Sequence, residues 1–80
     1  MHYRLKDIAR KYRISYSALA DAAQISKTAL SEIINKQKWP RRVSKAWIRD
    51  RIEGFLMIDH NMPEKIVATI WQLKNFESLK

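Results

Sequence analysis

Residues 16–35 read "YSALADAAQISKTALSEIIN", and this stretch decides the fold. Apolar side chains recur in it at the three- and four-residue spacing of helices, and a serine stands at the N-cap position before each half, Ser15 and Ser26. The pattern predicts two helices, over about 16–23 and 27–36. A link of about three residues lets two such helices pack at a steep angle only if the side chains at their crossing are small.

Ala20 lies where the contact between these two helices is expected. A large side chain there would hold the two backbones apart, whereas alanine lets them approach closely. Leu19, Leu30 and Ile33 can then close over a shared core, which leaves the opposite side of the second helix facing outward. The stretch therefore predicts a packed helix pair that displays one helix to a partner.

Three further helices are predicted outside this pair. Apolar spacing places them over about 4–12, 44–57 and 62–77, and Ser44 and Asn61 are the expected N-caps of the last two. With only 80 residues, the chain is expected to form a single domain. The predicted fold class is all-α, a compact bundle of about five short helices that contains a helix-turn-helix.

Residues 36–43 are predicted to form a basic loop, because a residue that precedes proline, here Trp39, is disfavoured in helical geometry. We expect Trp39 to cover the end of the preceding helix rather than to stack on a ligand. Three other aromatic residues lie on apolar stripes and are expected in the core: Trp47, Phe55 and Trp71. The last helix, with Ile66, Val67, Ile70, Trp71 and Leu73 on its apolar face, is expected to close the core, the alternative being a dimer seam.

The net charge of +8 is concentrated in two blocks. The first lies in residues 1–13 and sums to +4: Arg4, Lys6, Arg10, Lys11 and Arg13 against Asp7. The second lies in residues 36–51 and sums to +6: Lys36, Lys38, Arg41, Arg42, Lys45, Arg49 and Arg51 against Asp50. Blocks with so few interspersed acidic residues favour binding to a polyanion over solubility alone.

Other classes of function lack their usual signals. The chain has no cysteine, its two histidines have no metal-ligand spacing, and no catalytic motif is visible, so neither a cofactor nor an enzymatic activity is expected. The apolar runs are far shorter than the roughly 20 residues of a spanning helix, so no membrane association is expected. These features predict a cytoplasmic protein. The glycine and aromatic pattern of common RNA-binding modules is missing.

Six residues of the opening stretch resemble the helix-turn-helix of the λ-repressor-like, Cro-type DNA-binding domains: Leu19, Ala20, Ile25, Ser26, Leu30 and Ile33. The resemblance covers about residues 5–56. It departs at Gln24, where the family usually has glycine, so the turn must either hold glutamine in a left-handed conformation or use another geometry. The run around Trp39 and Pro40 is similar to Ner-type regulators of Mu-like phages and to the DNA-binding modules of their transposition ATPases.

The resemblance implies that the helix over 27–36 enters the major groove of double-stranded DNA. The implied base-reading residues are Lys27, Thr28, Ser31 and Glu32. The implied phosphate contacts are Tyr16, Ser17, Ser26, Asn35, Lys36, Lys38, Arg41 and Arg42. For Glu32, an ordinary solvated helix surface is an equally good interpretation, because a carboxylate close to phosphate is unfavourable without a donor.

Two functions follow from this resemblance. The first is a phage- or prophage-type transcriptional regulator, expected to be a repressor, that binds DNA in a sequence-specific manner and can do so as a homodimer. The second is an accessory DNA-binding module for transposition or recombination, whose partner ATPase or transposase performs the chemistry.

Overall fold

The computed structural model describes residues 1–74 and shows helices packed on a small core, with a two-stranded sheet that joins the ends of this region. The elements follow in the order β1 (His2–Tyr3), α1 (Leu5–Lys11), α2 (Tyr16–Ala23), α3 (Lys27–Lys36), α4 (Lys45–Asp59), α5 (Glu64–Val67) and β2 (Leu73–Lys74). The predicted class, a mostly α-helical bundle of about five short helices, is confirmed.

The α2–α3 pair forms as predicted, and its N-caps are confirmed. The Ala18 N–H donates to the Ser15 hydroxyl oxygen over 3.1 Å, and the Ala29 N–H donates to that of Ser26 over 3.0 Å. Ala20 is 2% exposed and belongs to the core. The apolar side chains of the pair join one core: Leu19, Ala20, Ala23, Leu30, Ile33 and Ile34.

The turn between α2 and α3 is closed by glutamine in the left-handed conformation. Gln24 has φ 56° and ψ 42°. Its N–H donates to the Asp21 carbonyl over 3.1 Å, and the Ile25 N–H donates to the Ala20 carbonyl over 3.0 Å. This bond pair ends a helix at a left-handed residue, a position that usually holds glycine. The chain thus reaches this turn at the cost of placing a side chain in a strained backbone region.

Left-handed residues other than glycine end each of the first four helices of the described region. They are Arg13, Gln24, Gln37 and Asn61. Gln37 compensates with side-chain bonds, because its amide nitrogen donates to the Ile34 carbonyl over 3.2 Å and to the Met1 carbonyl over 3.4 Å. The single glycine of the chain, Gly54, lies in the middle of α4 instead.

α4 begins after Ser44 as predicted, and the Trp47 N–H donates to the Ser44 hydroxyl oxygen over 3.3 Å. It presents Ile48, Ile52 and Leu56 to the core at four-residue spacing. The expectation that Trp47 belongs to the core is wrong. Trp47 lies one position before this stripe and therefore about 100° around the helix, and it stays 39% exposed. Phe55 is half-buried against the core.

The predicted last helix over 62–77 is wrong in extent and in its cap. α5 covers only Glu64–Val67 and follows Pro63, while Asn61 lies in the left-handed region. The chain then bends, with Val67 and Ile70 in the core, and Leu73 is 48% exposed instead of packed. Residues 75–77 of the predicted helix lie outside the described residues.

After the short α5, the chain pairs its backbone with the N-terminal segment instead of continuing as a helix. β1 and β2 are antiparallel, with His2 opposite Lys74 and Tyr3 opposite Leu73. The Arg4 N–H also donates to the Gln72 carbonyl over 2.8 Å, and the Leu5 N–H donates to the Ile70 carbonyl over 3.0 Å. This clasp satisfies backbone groups that a longer last helix would have bonded internally.

An aromatic cluster of Tyr3, Trp39 and Trp71 covers the clasp. The Trp71 ring lies 5.5 Å, centroid to centroid, from both of the others. The Trp39 indole N–H donates to the Tyr3 hydroxyl over 3.3 Å. Trp39 thus packs on the protein and fixes the loop after α3, as predicted. Trp71 is half-buried on the core, where its N–H donates to a Glu53 carboxylate oxygen over 2.7 Å.

Replacing Gln24 by glycine tests the strain at the turn. We expect Gln24→Gly to raise the free energy of unfolding by about 0.5–1 kcal/mol, because glycine adopts positive φ without steric cost and this gain exceeds the added entropy of the unfolded chain. Urea denaturation followed by circular dichroism measures the change. Gln37→Gly is the matched control and should gain less, since it loses two side-chain hydrogen bonds. Equal gains at both positions would contradict this account.

The clasp also contains an ion pair that should make stability depend on pH. Asp7 accepts a hydrogen bond from Lys74 over 3.0 Å, and this bond lowers the pKa of the Asp7 carboxyl below 3.8, with a smaller contribution from His2, against an opposing effect of burial. The lowered pKa means that the contribution is present above about pH 4 and is lost as pH falls through the folded-state value.

We expect Asp7→Asn to reduce the free energy of unfolding by less than about 1 kcal/mol at neutral pH, because the pair is partly exposed. The difference from the wild type should shrink as pH falls below 3.8. Thermal unfolding across this range measures it. Asp21→Asn, at an exposed α2 position without an ion pair among residues 1–74, is the control and should show little change at any pH.

Candidate nucleic-acid interface

The outward side of α3 and the start of α2 enclose a shallow groove of about 500 Å³. Its lining residues are Tyr16, Lys27, Thr28, Ser31, Glu32, Asn35 and Lys36. All four predicted base-reading residues therefore lie together, joined by three of the predicted phosphate contacts. The remaining candidates, Ser17, Ser26, Lys38, Arg41 and Arg42, do not line this groove.

Helical periodicity explains why the groove residues share one face. Residues 27, 31 and 35 are spaced by four, as are residues 28 and 32, so these two rows lie side by side along α3. The opposite face carries Leu30, Ile33 and Ile34, all fully buried in the core. The core thus holds α3 by one side and leaves its polar side outward. Lys27 and Thr28, in the first turn, are exposed, whereas Ser31 and Glu32 are half-buried.

Asn35 orients Ser31 within this face. The Asn35 amide nitrogen donates to the Ser31 backbone carbonyl over 3.1 Å and to the Ser31 hydroxyl oxygen over 3.2 Å. These bonds occupy the amide donors of Asn35 and one acceptor position of Ser31. The hydroxyl hydrogen of Ser31 remains available to donate outward. Asn35 therefore supports a neighbouring side chain, while its own carbonyl oxygen can only accept.

Tyr16 places a phenol at the edge of the groove. Burial raises the pKa of its hydroxyl above 10.0, and the positive charge of Arg10 only partly offsets this effect. The hydroxyl is therefore protonated at neutral pH and can donate a hydrogen bond to an anion. Arg10 is exposed on α1 and lies within electrostatic range of this hydroxyl. It extends the positive charge of the groove.

Arg10 was not among the predicted site residues. The basic block over 1–13 indicated that α1 carries charge, but which of its side chains approaches α2 depends on how the helices pack. Ser17 and Ser26 are exposed at the N-terminal ends of α2 and α3. Ser26 already accepts the cap bond from Ala29, yet its hydroxyl hydrogen is still free to meet an anion.

The second basic block divides into engaged and unengaged charges. Three of its side chains lie over indole rings: Lys45 over Trp39, Arg49 over Trp71 and Arg51 over Trp47. Arg49 also pairs with the Glu53 carboxylate, and Arg51 donates a hydrogen bond to the Ala22 carbonyl. Four others are exposed and form no ion pair or side-chain hydrogen bond with residues 1–74: Lys36, Lys38, Arg41 and Arg42. The unengaged charges are the ones predicted to contact phosphate.

Comparisons of the chain with protein-family models, with curated proteins and with solved structures give no significant match. Within residues 1–74, no helix has both the length and the apolar content needed to cross a bilayer. Over the same residues, no group of three or more acidic, histidine or cysteine side chains is placed to hold a metal ion.

Proposed function

We propose that this protein binds double-stranded DNA in a sequence-specific manner, with α3 in the major groove. One observation carries the proposal: the outward face of α3 gathers Lys27, Thr28, Ser31 and Glu32 in one groove, and exposed, unengaged cations begin at its C-terminal end with Lys36. A protein that reads sequence needs side chains of varied hydrogen-bonding chemistry on a projecting helix. It also needs cations beside them for the phosphates.

The four readers offer complementary chemistry to base edges. Lys27 donates to the guanine N7 and O6 acceptors, and Thr28 can contact a thymine methyl group or exchange a hydrogen bond through its hydroxyl. Ser31, oriented by Asn35, donates outward. Glu32 accepts from the cytosine amino group. A carboxylate in a cationic groove also repels phosphate. Glu32 would therefore disfavour positions of α3 on the DNA in which its carboxylate lies near a phosphate instead of a cytosine.

Phosphate contacts would flank this face on both sides. Lys36 lies at the groove, and Lys38, Arg41 and Arg42 follow it on the loop that the aromatic cluster fixes through Trp39. On the other side, Tyr16 and Arg10 can meet the opposite strand. Ser17 and Ser26 add hydroxyl groups at the helix N-termini, where backbone N–H groups favour anions.

The role we propose for this binding is that of a phage- or prophage-type transcriptional regulator, a repressor that occupies its operator. The same interface would also serve an accessory module of transposition or recombination that delivers DNA to an ATPase or transposase. Selection of bound sequences from a random DNA pool tests the regulator role. A regulator requires one site bound far more tightly than bulk DNA, whereas equal affinity for random DNA would contradict it.

The basic loop should supply a salt-dependent share of affinity. If about six phosphates are neutralised, log affinity should fall against log salt concentration with a slope of roughly −5. Replacing Lys38, Arg41 and Arg42 together by alanine should make the slope shallower by about 3 and should weaken binding to all sequences alike. Fluorescence anisotropy of a labelled duplex measures both effects. Lys65→Ala, which removes an exposed cation of α5, should leave the slope unchanged.

The groove residues should determine how strongly the protein prefers its selected site over random DNA. We expect the Lys27→Ala and Thr28→Ala double variant to lose about 2 kcal/mol or more of preference for the selected site while keeping salt-dependent binding to random DNA. Competition between selected and random duplexes measures this preference. Glu32→Gln separates the two interpretations of that residue: a changed base preference indicates reading, and a uniform gain on all DNA indicates repulsion alone.

A further inference from the structure

Two neighbouring side chains of the α3 groove are joined by hydrogen bonds that fix what each can offer to a ligand. Ser31 and Asn35 lie one helical turn apart, and both line the groove. The Asn35 amide nitrogen donates to the Ser31 backbone carbonyl over 3.1 Å and to the Ser31 hydroxyl oxygen over 3.2 Å. The two side chains therefore meet a ligand as one unit, which we call the Ser31–Asn35 pair.

The backbone carbonyl of Ser31 determines which way the Asn35 amide points. A carbonyl oxygen can only accept a hydrogen bond, so the amide atom that faces it must be the nitrogen. With the amide reversed, two oxygens would face each other with no hydrogen between them. The carbonyl can accept this bond in addition to its helical one, because it has two lone pairs. The other amide atom, Asn35 Oδ1, is consequently left to the groove.

Each member of the pair retains one hydrogen-bonding function. The Ser31 hydroxyl oxygen accepts from Asn35, and its hydrogen bonds no other group among residues 1–74. Asn35 Oδ1 accepts no hydrogen bond from those residues. Phosphate oxygens only accept, so an Asn35 that turns its oxygen outward suits a base edge better than a phosphate. The pair thus offers the groove one donor beside one acceptor.

A donor beside an acceptor matches the major-groove edge of adenine. Adenine presents the N7 acceptor next to the N6 amino donor, whereas guanine presents two acceptors, N7 and O6. Cytosine offers a donor alone, and thymine offers an acceptor and a methyl group. A single Asn or Gln amide can match adenine with its own nitrogen and oxygen. Here the Asn35 nitrogen is occupied, and the Ser31 hydroxyl supplies the donor in its place.

We propose that the Ser31–Asn35 pair reads one adenine, with the Ser31 hydroxyl donating to N7 and Asn35 Oδ1 accepting from the N6 amino group. This contact rests on the proposed function, in which α3 lies in the major groove of DNA. Ser31 is the fifth of the ten residues of α3, so the adenine lies opposite the middle of the helix. Asn35 contacts the base and also fixes the Ser31 hydroxyl as a donor, whereas an isolated serine can donate or accept.

The other proposed readers do not offer this pattern. Lys27 only donates, and Glu32 only accepts. Thr28 forms no side-chain hydrogen bond within residues 1–74, so its hydroxyl can take either role. Preference for adenine over guanine at one position of the site therefore falls to the Ser31–Asn35 pair.

The premise can be tested without DNA. By nuclear magnetic resonance, the side-chain amide of Asn35 should exchange its hydrogens with water more slowly than that of Gln24. Gln24 is exposed, and its side chain makes no hydrogen bond within residues 1–74. Equal exchange at the two amides would mean that the pair does not form in solution and would overturn the proposal.

Base analogues in the selected duplex test the contact atom by atom. Each adenine is replaced in turn by 7-deazaadenine, which lacks the N7 acceptor, or by purine, which lacks the 6-amino group. At one adenine, we expect each analogue to weaken wild-type binding about 5- to 10-fold, the effect of one lost hydrogen bond. Fluorescence anisotropy of the labelled duplex measures the change.

Variants of the pair assign each effect to a side chain. Ser31→Ala should bind the adenine and 7-deazaadenine duplexes equally, because its donor is gone. Asn35→Leu should bind the adenine and purine duplexes equally, because it lacks Oδ1. Alanine and leucine both favour helices, and circular dichroism checks that the variants are folded. Ser17→Ala is the matched control, since Ser17 lies outside the groove, and it should respond to both analogues as the wild type does.

The outcomes separate this contact from the proposed function. If the wild type selects a site but Ser31→Ala still responds to 7-deazaadenine, or Asn35→Leu to purine, the pair does not read adenine and the proposal is overturned. A selected site at which no adenine responds to both analogues also overturns it, while sequence-specific binding stands. A wild type that selects no site contradicts the proposed function itself, and the adenine contact with it.

Discussion

The close approach of α2 and α3 is the constraint on which the rest of the structure depends. Ala20 is buried in the core that both helices share, and Gln24 adopts a left-handed conformation that ends α2 and lets α3 begin three residues later. If either condition failed, Leu30 and Ile33 could not reach the core that α4 completes. Because Leu30, Ile33 and Ile34 are fully buried, the polar side of α3 faces outward.

The basic side chains of residues 36–51 fall into two groups, those that contact other residues of the protein and those that do not. Lys45, Arg49 and Arg51 lie over indole rings, so part of the basic block makes cation–π contacts within the fold. Lys36, Lys38, Arg41 and Arg42 have no such partner among residues 1–74. The unengaged part begins at the C-terminal end of the α3 groove.

α4 supports the candidate interface from the core side. Its inner stripe, Ile48, Ile52 and Leu56, is fully buried in the core that also holds Leu30, Ile33 and Ile34 of α3. The polar side of α3 faces away from this core, so α4 helps to orient the groove residues without lining the groove itself.

The sequence alone determined the elements whose signals are local. Ser15, Ser26 and Ser44 cap their helices through bonds to residues three positions away, and the periodicity of α3 places its polar residues on one face wherever that helix packs. Only the tertiary structure decided features that depend on distant residues. The last helix is short, and the segment that follows it pairs with His2 and Tyr3 as β2. Arg10 joined the candidate site because the fold brings its charge within range of the Tyr16 hydroxyl. Local spacing carries no information about such contacts, since they join segments that are far apart in the chain.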